Sequence, residues 1–118
     1  MSYFVQYVVL RKDLLKTLKW PFGAVVTQAC HACTAVLHEN YGDPNTQQYL
    51  SKIDEMHKVV LEADGESDLR KLAESLTEAK VAHKLWTEQP EGIPTCLAVM
   101  PYKKEDIQSH FKGLKLFK

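Results

Sequence analysis

Apolar positions along the first half of the chain predict one strand and two helices. Residues 3–10 are aromatic and β-branched with one polar interruption, a pattern typical of a strand buried in the middle of a sheet. A Trp-Pro-Phe-Gly loop at 20–23 leads into a helix over 24–39. Asp43 as a cap and Pro44 at the first helical position predict a second helix. Its apolar stripe would consist of Tyr49, Leu50, Ile53 and Met56.

The second half predicts three more strands and two more helices. A short strand over 58–63 and a turn precede a helix that Ser67 would cap, with an apolar stripe from Leu69 to Leu76. Strands follow over 81–87 and 95–100, joined by a turn-rich loop. The last helix spans 103–111, with Ile107 and Phe111 pointing inward. The order β-α-α-β-α-β-β-α predicts a single α/β domain over residues 1–118, an α/β/α sandwich with a mixed sheet.

Composition narrows the setting of this domain. The chain has 118 residues, and 45% hydrophobic residues are enough for one core. No apolar run is as long as the ~18 residues of a membrane span, so no membrane association is expected. The start of the chain lacks the basic region and cleavage site of a signal peptide. Three cysteines, an odd number, argue against a disulfide framework. A reducing, cytoplasmic location is the simplest interpretation.

Charge is distributed unevenly although the formal net charge is zero. Residues 1–20 and 103–118 each carry a net charge of about +3, and the part between them is strongly acidic. If the two ends meet in space, they form one basic face that attracts a phosphate backbone. Ordinary solvated lysines explain the same pattern, and charge alone favours that explanation.

The first long helix has an unusual polar stripe. At about 100° per residue, Thr27, His31, Thr34 and His38 fall within about 60° of one another, and Gln28 lies at the boundary with the apolar side. A solvent-facing side usually carries Lys and Glu, which are absent here until Glu39. Solvent exposure remains the simpler explanation, but the stripe also fits a ligand site.

Other motifs have weaker support. Cys30 and Cys33 have CxxC spacing but lie in the middle of the helix, whereas a redox pair should begin a helix after a strand. A zinc site needs four converging ligands, and no second CxxC or HxxxH pair exists. The chain contains no P-loop, GxGxxG or GxSxG motif.

A further set of motifs consists of LRKDL at 10–14, QACHA at 28–32, KVVL at 58–61, TCLAVMP at 95–101 and GLKL at 113–116. Together these segments resemble the type II peptidyl-tRNA hydrolase family, in particular its divergent branch of peptidyl-tRNA hydrolase domain-containing proteins. Members of that family have a strand ending in R-x-D-L and a glycine–lysine pair that leads into a helix with A-A-Q-C-x-H-A. The resemblance therefore covers nearly the whole chain in order. It implies a four-stranded mixed sheet, cleavage of the ester between a peptide and the 3′ ribose of tRNA, and no metal or organic cofactor.

The resemblance also implies the site residues. Gln28, His31 and Thr95 match the family pattern, and Glu88 replaces its loop aspartate. These four are the candidate catalytic residues, since ester hydrolysis needs an activated water and a donor to the oxyanion. The family's catalytic lysine, however, aligns with Ala24, and a nearby family lysine aligns with Phe22. The candidate tRNA-binding residues are Arg11, Lys12, Lys19 and Lys115.

Two functions therefore remain open. The first is a peptidyl-tRNA hydrolase weakened by the loss of the lysine, and the second is a tRNA- or RNA-binding protein that does not hydrolyse. Peptidyl-tRNA or tRNA is the expected partner in both cases, and a homodimer is left open. A protein-interaction adaptor has no positive feature in the sequence.

Overall fold

A computed structural model describes residues 3–118, so the first two residues of the predicted domain lie outside the described residues. The strands are β1 (Phe4–Arg11), β2 (Lys58–Ala63), β3 (His83–Glu88), β4 (Ile93–Val99), β5 (Tyr102–Lys103) and β6 (Lys115–Leu116). The α-helices are α1 (Asp13–Lys16), α2 (Phe22–Glu39), α3 (Pro44–Ser51), α4 (Glu66–Glu78) and α5 (Lys104–Ile107). Two 3-10 turns follow α3 and α5, at Ile53–Glu55 and Gln108–Phe111.

The sheet is mixed, as predicted, but it has six strands rather than four. Its main order is β3-β4-β1-β2-β6, and β5 pairs with the start of β1. β1 runs parallel to β2 and antiparallel to β4, so the first strand lies in the middle as its apolar composition predicted. The prediction of four strands was wrong because β5 and β6 have two residues each, too few for a periodic pattern.

Each long strand contributes alternate residues to two apolar clusters, one on each face of the sheet. Val5, Tyr7 and Val9 of β1 pack against α4 and the C-terminal turn on one face. Val8 and Leu10 pack against α2 on the other face. The molecule therefore has the three layers of an α/β/α sandwich. The helix with the polar stripe, α2, covers the face that carries Val8 and Leu10, and it also contacts β3 and β4.

The predicted start of α3 and the predicted burial of two C-terminal residues are confirmed. The Asp43 carboxylate accepts a hydrogen bond from the Asn45 N–H at 2.9 Å, and Pro44 is the first residue of α3. Ile107 and Phe111 are buried, although a short helix and a 3-10 turn replace one continuous helix there.

Other helix predictions were wrong. Gly65, not Ser67, precedes the first residue of α4, and it makes no side-chain cap. α3 ends at Ser51, which leaves Ile53 and Met56 exposed outside the predicted stripe. The helix is shorter because the chain must turn back to begin β2 at Lys58. Among residues 3–118, no helix has the length and apolar character needed to cross a membrane.

Candidate functional site

A β-bulge in β4 places Thr95 against α2. Trp86 of β3 pairs with Cys96, but the next residue of β3 pairs with Pro94, so Thr95 is the extra residue in the ladder. Strict alternation would turn Thr95 toward α4, since Cys96 faces α2. Instead, its hydroxyl donates a 2.8 Å hydrogen bond to Oε1 of Gln28 on α2.

Gln28 and Thr95 form a buried polar pair, which we call the inner pair. Gln28 is 2% exposed and Thr95 is fully buried. Nε2 of Gln28 also donates to the carbonyl of Ala24, one helical turn earlier, at 3.2 Å. The wheel had placed Gln28 at the edge of the apolar side, and the structure places it inside. Both ends of its amide are therefore held, which gives the side chain one orientation.

Arg11 anchors the strand segment next to this pair. Its guanidinium donates to the carbonyl of Pro94 at 3.0 Å and to both carboxylate oxygens of Asp13, at 2.9 and 2.8 Å. The hydrogen bond to Asp13 raises the pKa of Arg11, so the guanidinium stays charged. Arg11 is buried, whereas the sequence had suggested a tRNA-binding side chain at this position. The structure thus places Arg11 as a support for the bulge.

Three side chains beside the inner pair form the outer group, namely His31, Trp86 and Glu88. His31 lies one turn after Gln28, and its imidazole stacks on the Trp86 indole with ring centroids 4.8 Å apart and planes at 25°. The indole N–H donates to Oε1 of Glu88 at 3.0 Å. All three are partly exposed. The structure thus links two predicted residues, His31 and Glu88, through a third that sequence reasoning missed.

The sequence contained an indication that Trp86 lies near Glu88. It lies two residues before Glu88 in a strand, and that spacing puts two side chains on the same face. The sequence did not show that this face meets the polar stripe of α2, because only the sheet order brings β3 under α2. The rest of the stripe, Thr27, Thr34 and His38, is exposed as the wheel predicted.

The entrance of α2 offers an apolar side chain and no acidic residue in its first turn. Phe22, the first residue, is 65% exposed, and Val26 one turn later is 44% exposed. Ala24 is partly buried, and its carbonyl is already used by Gln28. The type II peptidyl-tRNA hydrolases that this sequence resembles have lysine at the positions of Phe22 and Ala24, and neither residue here is cationic.

Only some of the basic residues from the two ends of the chain meet. Lys12, Lys115 and Lys118 surround Glu62 in a region we call the basic edge. Lys12 donates to Glu62 at 3.1 Å, and this bond lowers the pKa of the Glu62 carboxyl. Lys103 and Lys104 instead lie beside the start of β1, about 20 Å away along an eight-residue strand. The two ends of the chain therefore do not place all of their lysines on a single basic face.

The predicted tRNA-binding lysines are thus distributed unevenly. Lys12 and Lys115 lie together at the basic edge, while Lys19 is exposed in the loop before α2. Lys19 has a φ of 59°, in the left-handed region that non-glycine residues rarely adopt. This conformation fixes the direction in which the chain enters Trp20, whose indole packs on the α2 side of the core.

The cysteines are free thiols at three depths. Burial raises the pKa of the Cys33 and Cys96 thiols, which keeps them protonated and unreactive. Within residues 3–118, no group of three or more His, Cys, Asp or Glu side chains is placed to hold a metal ion. Neither cysteine of the CxxC motif, Cys30 or Cys33, belongs to the inner pair or the outer group.

Comparison with known proteins adds to this geometry. The family described as peptidyl-tRNA hydrolase PTH2 matches residues 4–117. The human protein named "Putative peptidyl-tRNA hydrolase PTRHD1" is 51% identical over 115 residues, covering 97% of this chain and 82% of that protein. Its mouse counterpart, of the same name, has the same identity and coverage.

A solved structure shares the fold at low sequence identity. It is the protein of unknown function Atu0240 from Agrobacterium tumefaciens strain C58, with a TM-score of 0.64 and 12% identity over the full length of both chains. At this identity the likeness concerns the arrangement of helices and strands alone.

Proposed function

The chain belongs to the peptidyl-tRNA hydrolase PTH2 family, and on that premise we propose that it hydrolyses the ester between a peptide and the 3′ ribose of tRNA. The observation that carries this proposal is the juxtaposition of the inner pair and the outer group. Gln28 and His31 lie one turn apart on α2, and each is held by a partner from the β3–β4 hairpin. An amide donor, an imidazole and a carboxylate thus converge on one side of the sheet.

Ester hydrolysis needs a base for water and a donor for the oxyanion. Glu88 uses Oε1 for the Trp86 N–H, which leaves Oε2 to accept a proton or orient a water. His31 stacks through its ring face, so its two ring nitrogens remain at the edge for hydrogen bonding. We assign water activation to these two side chains together.

The inner pair supplies the oxyanion donor in this proposal. Gln28 has two amide protons, and one of them is used by the Ala24 carbonyl. The second is the donor we assign to the developing negative charge. Thr95 already donates its proton to Gln28, so its role is to orient the amide.

Ala24 explains why this activity should be slow. Removing one oxyanion donor costs roughly 10²–10³ in rate in other hydrolases. The family lysine that aligns with Ala24 would add a positive donor near the Gln28 amide. Turnover well below that of family members with the lysine is the expected consequence.

The basic edge and Lys19 provide the surfaces for tRNA in this proposal. Lys12 and Lys16 follow the end of β1, the strand end from which Arg11 reaches Pro94. Lys115 of β6 pairs with Glu62 at the same edge. A phosphate backbone lying along this edge would bring one end of the molecule toward the site. Each lysine that contacts a phosphate should contribute to the salt dependence of binding.

The test is release of labelled peptide from purified peptidyl-tRNA. We expect wild-type turnover to exceed that of the Gln28→Ala, His31→Ala double variant. A Thr27→Ala, His38→Ala variant is the matched control, because both residues lie on the same stripe, are exposed and have no assigned role. Wild-type release equal to that of the first double variant would reject the proposal.

Ala24→Lys tests the same site from the opposite direction. Restoring the cation should raise kcat by about 10²-fold, the reverse of losing one oxyanion donor. Val26→Lys, at an exposed position of the same helix, is the positional control. No gain from Ala24→Lys would mean that the remaining groups do not form a working site.

Non-hydrolytic tRNA binding is the second candidate, and the absence of lysine at positions 22 and 24 favours it. It predicts salt-dependent tRNA binding with no peptide release at any enzyme concentration. Binding that is absent or independent of salt would count against this candidate.

A further inference from the structure

We infer that Trp86 is a positioning residue that holds His31 and Glu88 as one unit. This inference rests on the proposed function and deepens it, because it concerns how the two water-activating groups are oriented. The stacked imidazole and the bonded carboxylate belong to different elements, α2 and the end of β3. Trp86 is the side chain that contacts both.

Each of the two contacts restricts a different coordinate. The near-parallel stack, with planes at 25°, sets the tilt of the imidazole while leaving its ring nitrogens at the edge. The N–H bond holds one carboxylate oxygen, so Oε2 of Glu88 has a defined direction. The indole N–H can only donate, so its partner is a lone pair on Oε1 of the Glu88 carboxylate.

Trp86 is itself held firmly. It packs among the partly buried residues on the α2 side of the core, and its strand pairs with β4 on either side of the Thr95 bulge. The same hairpin thus orients Gln28 through Thr95 and the outer group through Trp86. An apolar residue of similar size would maintain the packing but would not orient Glu88.

Nuclear magnetic resonance tests the contacts without any substrate. The protein has two tryptophans, so its ¹H–¹⁵N spectrum contains two indole signals, and a Trp20→Phe variant assigns them. Glu88→Gln and His31→Ala should each shift the Trp86 signal and leave the Trp20 signal in place. Glu91→Gln and His38→Ala, exposed residues of the same loop and the same helix, are the controls. If the chemical shift of the Trp86 indole signal is unchanged in both Glu88→Gln and His31→Ala, the inference is overturned.

Kinetics test whether the orientation matters. Trp86→Phe retains an aromatic face for His31 but removes the N–H, so we expect kcat to fall by about tenfold or more while KM changes by less than about twofold. Trp86→Leu should fall further, because it also loses the stack. Combining Trp86→Phe with Glu88→Gln should cost no more than Glu88→Gln alone, since both changes remove the same oriented carboxylate. Fully additive losses would contradict the positioning role.

The two proposals fail in different ways. A wild-type protein that releases no peptide rejects the hydrolase, and the resonance measurement then decides alone whether Trp86 joins His31 and Glu88. A hydrolase whose kcat is unchanged by Trp86→Phe rejects the positioning role and leaves the hydrolase standing.

Discussion

The inner pair and the outer group lie one helical turn apart and differ in how they are held. Gln28 and Thr95 are buried and use their hydrogen-bonding groups mainly on each other and on the backbone. His31 and Glu88 are partly exposed and have free edges. A buried polar group contributes to stability only while it is paired, whereas an exposed one contributes little but can meet a substrate. We therefore expect mutations of the inner pair to lower stability as well as turnover, and mutations of the outer group to lower turnover with little effect on stability.

The largest stability effect should come from the support of the inner pair. Arg11→Met removes the guanidinium that bonds Pro94 and leaves Asp13 without its cation. Breaking a buried ion pair costs about 3–5 kcal/mol, and we expect about 2–4 kcal/mol because the Asp13 side chain is 27% exposed. Urea denaturation measures the loss. A change below about 1 kcal/mol would show that the bulge does not depend on Arg11.

The inner pair should come next. Thr95→Val keeps the shape but leaves the Gln28 carbonyl oxygen unpaired, at a cost of about 1–3 kcal/mol. Adding Gln28→Leu removes that unpaired group, so the double variant should be more stable than the sum of the single variants predicts. Thermal denaturation of the four proteins measures this coupling. Strictly additive losses would mean that the two side chains do not interact.

The basic edge serves as a reference outside both halves, with a smaller effect. Glu62→Gln removes the partner of Lys12. Both side chains are partly exposed at the protein surface, where ion pairs contribute about 1 kcal/mol or less. Because Lys12 lowers the pKa of Glu62 in the folded state, the stabilisation is present above its ordinary pKa of 4.5 and is lost as the pH falls below it. The melting temperatures of wild type and variant should thus differ at pH 7 and converge below about pH 4. A constant difference across that range would refute the charge contribution.

The outer group should affect stability least. His31→Ala and Glu88→Gln should each change the unfolding free energy by about 0.5 kcal/mol or less, since both side chains are partly exposed. Their effect on peptide release should be far larger, about 10²-fold or more for loss of a general base. Parallel measurements of unfolding and turnover on the same preparations check the contrast. Variants of the outer group that unfold as readily as Thr95→Val would remove the distinction between the two halves.

Much of the fold was predictable because its signals are local. The start of α3 was predictable from Asp43, whose side chain caps the helix, and from Pro44, whose φ angle is already fixed near the helical value. The apolar run from Tyr3 to Leu10 predicts a central strand, because a strand that is covered on both faces is apolar at successive positions. β5 and β6 were missed because two residues carry no period, and their pairing depends on strands far away in the chain.

The candidate site divides along the same line. Gln28, His31, Glu88 and Thr95 were selected from residue type and from resemblance to a family, without knowledge of their contacts. Arg11 was expected to bind tRNA because it is basic, and the structure buries it against Asp13. Trp86 was overlooked because its importance depends on which helix covers β3.

The sequence by itself determined the family, the long elements and the identity of the candidate residues, because these follow from residue order and local periodicity. Only the tertiary structure decided how the residues pair. The bulge turns Thr95 away from the face that alternation predicts and onto Gln28, and the packing of α2 over β3 joins His31 to Glu88 through Trp86. Both results depend on strand register and layer packing, which arise from contacts among residues distant in the chain.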